Sequence, residues 1–195
     1  MMGKGRLEAF SDGVIAIIIT IMVLDLKEPH GDGFVALLPT LPTFLNYALS
    51  FVYLGIYWNN HHHMLHTVTR ITGGILWANL HLLFWLSLIP FATVWMSDNH
   101  HAAVPTAVYG ADLLMSGIAF MILQQLIVAS QGTDSLLRRA IGGDWKGKLS
   151  PLLYAVGIVV AFWSPPGAQA LYVLVALFWL VPDRRIEGVL RQTQS

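Results

Sequence analysis

The chain reads as an all-α membrane protein, a bundle of six transmembrane helices, and three observations predict that class. Of its 195 residues, 55% are hydrophobic and only 11% charged, against about 25% charged in an ordinary soluble domain. Its mean hydropathy is +0.61, and a water-facing surface that apolar would self-associate. The apolar residues gather into six runs, and the lysines and arginines fall almost wholly on one side of the topology those runs imply.

The first span is drawn at Leu7–Leu26. The stretch from Arg6 to Leu26, RLEAFSDGVIAIIITIMVLDL, is 21 residues long, enough helix to cross a bilayer. The preceding MMGKGRLEAF leads into a hydrophobic run too long for a signal-peptide core, with no clear small-residue cleavage site, so this is expected to be a retained span. Arg6, Glu8, Ser11 and Asp12 crowd its head. Charged groups inside a spanning helix are costly and mark function.

Spans two to four follow at Thr43–Met64, Ile71–Met96 and Ala103–Ser130. Spans five and six, Leu149–Ser164 and Gly167–Val181, are shorter, and Ser164-Pro165-Pro166-Gly167 breaks the chain between them. With the N-terminus in the cytoplasm, that side holds Lys4, Arg6, Arg70, Arg138, Arg139, Lys146, Lys148, Arg184, Arg185 and Arg191, and the other holds only Lys27. This is the asymmetry of a correctly oriented cell-membrane protein. An even number of spans returns the C-terminus to the basic side. Subtracting the loops leaves no soluble domain, so residues 1–195 form one six-span unit. Zero net formal charge suggests no nucleic-acid partner. The absence of cysteine removes disulfides and thiolate chemistry.

On a helical wheel at about 100° per residue, Ile17, Thr20, Ile21 and Leu24 share one narrow stripe, which Phe10 and Gly13 extend. Asp12 lies about 140° from Ile17, so it cannot serve the same surface. The stripe could meet its own copies around a symmetry axis as a dry constriction, with Thr20 as its only hydroxyl. It is equally the ordinary lipid-facing or bundle-facing side of a spanning helix, and periodicity by itself favours that plainer reading.

Arg6 with Phe10-Ser11-Asp12-Gly13, followed by Val14-Ile15-Ala16-Ile17-Ile18-Ile19-Thr20, resembles the first-helix signature of the transmembrane protein 175 family of lysosomal-type potassium channels. Trp58-Asn59-Asn60-His61 is similar to that family's W-x-x-H, and Asn79 precedes an aromatic-rich run ending in Pro90-Phe91, as in the family. The resemblance spans the whole chain. It implies a prokaryotic single-repeat member that assembles as a homotetramer, the first helix lining a central pore. It further implies a pore constriction at Ile17, Ile21 and Leu24, and selectivity at Thr20. Arg6, Phe10, Ser11 and Asp12 would join Trp58, His61 and Asn79 in a structural polar network between helices. The T-V-G-Y-G filter of ordinary potassium channels is absent from the sequence.

Other polar residues have plainer readings. His61, His62 and His63 are consecutive, so they point about 100° apart and cannot share one ion; only His62 and His66 share a face. No metal site is therefore expected. His61 and His81 could ligate haem from facing helices, though a hydrogen-bonded histidine explains His81 as well. Asp98-Asn99-His100-His101 could concentrate cations at the outer mouth, and an ordinary solvated loop explains it equally well. No P-loop, dinucleotide fingerprint or nucleophile elbow occurs, so no catalytic residue and no cofactor is expected. The expectation is passive conduction of potassium and similar monovalent cations, modestly selective over sodium. A secondary transporter is the alternative, but the matched halves and paired helix breaks it requires are missing; a haem-binding redox protein is another.

Overall fold

Among the described residues, a helix occupies each of the six apolar runs: α1 (Lys4–Ile21), α2 (Leu41–His66), α3 (Gly73–Asp98), α4 (Ala103–Gln131), α5 (Trp145–Val160) and α6 (Pro165–Leu180). The computed structural model describes residues 3–100, 102–132, 137 and 145–180. His101, Arg138, Arg139, Arg184, Arg185 and Arg191 lie outside the described residues, so half of the charge expected in the cytoplasm is not placed. Among the described residues four helical stretches are long and apolar enough to cross a membrane, those built on α1 to α4. α5 and α6 have 16 residues each, about 24 Å of helix.

Local chemistry sets the ends. α1 tightens into a 3-10 turn at Met22–Asp25, closed by the Leu26 amide donating to the Val23 carbonyl at 3.2 Å. A second 3-10 segment, Phe34–Thr40, leads into α2, whose first turn accepts Pro42 because no helical partner is required there. Thr72 caps α3 by accepting from the Ile75 amide at 3.3 Å. α6 starts two residues earlier than the expected Gly167. Pro165 and Pro166 sit in its first turn, and Ser164 accepts from the Gly167 amide. α5 is already helical at Trp145, four residues before the expected Leu149, and so takes in Lys146 and Lys148.

α3 is the most enclosed span. It packs against α1 and α2 on one side and α4 on the other, while α5 and α6 close over α4. Leu82, Leu86 and Ile89 of α3 are fully buried. Tyr172 of α6 wedges into a notch made by two glycines. A Cβ at Gly110 of α4 would lie 2.0 Å from its hydroxyl, and one at Gly157 of α5 would lie 2.5 Å from its ring.

Candidate functional site at the first helix

α1 has two faces with different fates. Leu7, Ser11, Ile15, Ile18 and Met22 recur at intervals of three and four residues and are buried against the bundle. On the other side, Gly13, Ile17, Thr20, Ile21 and Leu24 are exposed. Ile17 is 61% and Leu24 80% exposed, so among the described residues nothing covers the stripe. The wheel treated Leu24 as α-helical, whereas it lies in the 3-10 turn. Leu24 is nonetheless exposed, as Ile21 is, and the stripe continues to it. The Thr20 hydroxyl donates to the Ile17 carbonyl at 3.0 Å. Its hydrogen is directed into its own helix, and its lone pairs remain as the only side-chain acceptor on the stripe.

A buried chain of hydrogen bonds ties the inner face of α1 to α2 and α3. Asn79 donates to Ser11 Oγ at 2.9 Å, and its carbonyl oxygen faces His61 Nε2 at 2.7 Å. Ser11 in turn donates to the Leu7 carbonyl at 2.9 Å. Once Asn79 offers oxygen to His61, the imidazole must carry its proton on Nε2. Beside this chain, the Trp58 indole donates to Asp12 Oδ1 at 3.0 Å, and nearer the helix start Lys4 donates to the His66 carbonyl at 2.6 Å. The structure thus brings Ser11, Asn79 and His61 into one set and Asp12 and Trp58 into an adjoining pair. Arg6 and Phe10 stand apart from both. They lie on the exposed stripe, and the Arg6 side chain makes no hydrogen bond or ion pair among the described residues.

Three other histidines have local partners. His81 Nε2 accepts from Trp85 at 2.8 Å, which engages the nitrogen a haem iron would need. His62 and His66 meet edge to face with centroids 4.8 Å apart. Among the described residues no three His, Asp or Glu side chains converge as a metal site.

Neither motif nor resemblance gives a role to Asp112 of α4, which is buried between α2 and the later helices. Its signal in the sequence is plain once sought: one carboxylate within Val108-Tyr109-Gly110-Ala111-Asp112-Leu113-Leu114, well inside a spanning helix.

Comparison with known proteins places this arrangement. Residues 6–90 match the family model described as "Endosomal/lysosomal potassium channel TMEM175". A potassium channel of Chryseobacterium sp. (strain P1-3) is 55% identical over 191 residues, covering 98% of this chain and 100% of the relative. One from Streptomyces collinus is 30% identical, covering 90% of this chain and 91% of the relative. The crystal structure of a lysosomal potassium-selective channel TMEM175 homolog from Chamaesiphon minutus superposes with a TM-score of 0.79 at 28% identity, over 92% of this chain and 97% of that one.

Proposed function

Because this chain belongs to the family of the endosomal/lysosomal potassium channel TMEM175, we propose that it is a membrane potassium channel in which four copies of α1 wall one central conduction route. The observation that carries this reading is the uncovered aliphatic face of α1, set directly opposite a face pinned by buried hydrogen bonds. A helix held that firmly from behind can present Ile17, Ile21 and Leu24 as stacked rings with little play. Rings of this kind make a constriction that controls permeation through wetting. Thr20 lies between them and offers an oxygen acceptor to a partly dehydrated cation. Selectivity for potassium over sodium is modest, since aliphatic side chains cannot replace a hydration shell as backbone carbonyls do.

Arg6 and Phe10, both exposed, meet neighbouring copies at the cytoplasmic end of the same face. All six helices span, α5 and α6 through thinner parts of the assembly, and both termini lie in the cytoplasm. Ions move down their gradient with no cofactor, and potassium is the permeant species.

Potassium flux into liposomes holding only the purified chain tests the reading, because a coupled transporter would need a second substrate. In the same vesicles Ile17→Asn is expected to wet the constriction and raise sodium flux relative to potassium by several-fold. An unchanged ratio would remove Ile17 from the constriction.

A further inference from the structure

Asp112 is only 4% exposed, and neither of its carboxylate oxygens has a hydrogen-bond partner. It stands about 14 Å into α4, away from both membrane faces. Ser116, one turn later on the same side of the helix, is also fully buried with an unpartnered hydroxyl.

Five nearby hydroxyls point their hydrogens elsewhere. Thr93 donates to the Ile89 carbonyl at 2.6 Å. Ser50 must then donate to Thr93 (2.7 Å), and Tyr109 to Ser50 (2.9 Å). Tyr172 donates to the Thr106 carbonyl, and Tyr53 to the Tyr172 carbonyl. Tyr57 on α2 and Tyr109 on α4 itself are within electrostatic reach of Asp112. Tyr154 and Tyr172 complete the cluster from α5 and α6. All of these are neutral phenols. On α3, His81 is engaged by Trp85 and Asp98 by Lys27. Among the described residues, therefore, no cation is set against the carboxylate and no donor hydrogen-bonds it. A bare charge in such surroundings is strongly unfavourable.

We propose that Asp112 is a proton-binding site inside the subunit, occupied at neutral pH, whose proton keeps α4 seated against α2, α5 and α6. The step is the addition of a solvent proton to the carboxylate, with no other bond made or broken. It depends on the chain spanning a membrane and not on which segment lines the pore, so its failure would leave the potassium-channel reading standing.

Infrared spectroscopy of the reconstituted protein carrying isotope-labelled aspartate tests this directly. At neutral pH the wild type is expected to show the carbonyl stretch of a protonated aspartic acid, absent from Asp112→Asn. The thermal midpoint of the wild type should fall from neutral to alkaline pH, while that of Asp112→Asn stays nearly level. Should Asp112→Asn fail to fold, Asp112→Glu takes its place, since it removes the band from the labelled set while keeping an acid. Three results would overturn the proposal: no acid band in the wild type, a band that survives both substitutions, or a band abolished by potassium or sodium at fixed pH and ionic strength. The last would make Asp112 a cation site.

Discussion

At the scale of single residues, the two polar groupings beside α1 carry unequal weight. Asn79 is fully buried and serves two equally buried partners, Ser11 and His61. Its replacement takes the partner from His61 Nε2 and the donor from the Ser11 oxygen, which keeps only its own bond to the Leu7 carbonyl; an orphaned buried polar group costs about 1–3 kcal/mol. Trp58 is 44% exposed, and Asp12 can find water or lipid headgroups when the indole is lost. Asn79→Leu is therefore expected to lower the melting temperature in detergent substantially, and Trp58→Phe only slightly. Equal losses would mean that Asp12 is as enclosed in the assembly as Asn79 is in the subunit. Ser11, His61 and Asn79 were legible because they sit in motifs, and motifs preserve spacing along one helix. Asp112 and the hydroxyl chain from Tyr109 to Ser50 and Thr93 were not, because they form only when α2, α3 and α4 settle at one relative height. No single run of sequence encodes that height.

At the scale of helices, length and apolar content located all six elements, since a run that must bury its backbone polar groups in lipid has few alternatives to a helix. The ends were less legible. Proline in a first turn, lysines trailing from a helix start and the 3-10 tightening at Met22–Asp25 leave hydropathy almost unchanged. The glycines separate helix contacts that matter inside one subunit from those that do not. Gly157→Ala drives a methyl into the buried ring of Tyr172, which is itself held by hydrogen bonds and has nowhere to retreat. Overpacking of this kind costs about 1–3 kcal/mol. Gly13→Ala meets nothing within 4 Å, and alanine favours the helix by roughly 0.5–1 kcal/mol. The first is expected to reduce the yield of folded monomer. The second should leave the monomer intact and alter the assembled particle alone, as size-exclusion profiles of the two variants would reveal.

At the scale of the whole molecule, the decisive question is what covers the outer face of α1. Lipid and three sister copies are both chemically acceptable to Ile17, Ile21 and Leu24, so burial within one subunit does not choose between them. The chain offers a clean way to ask, because it has no cysteine and every introduced thiol is the only one in its subunit. Around a shared axis, Ile17→Cys and Leu24→Cys place thiols of neighbouring copies side by side. Oxidation or a short bifunctional thiol reagent should then trap covalent dimers in the membrane. Leu152→Cys on α5 is 60% exposed, much as Ile17 is, but it belongs to the far side of the bundle from α1. It should cross-link several-fold less at equal protein density, which controls for random collision. If Leu152→Cys and Ile17→Cys cross-link alike, or if only the former does, the aliphatic stripe faces lipid and the conduction route must be walled by another helix. The same membranes carry a second readout. If Ile17 belongs to the proposed constriction, a cross-link there fixes it, so oxidation should reduce potassium flux through Ile17→Cys and reductant should restore it. Leu152→Cys should conduct equally in both states.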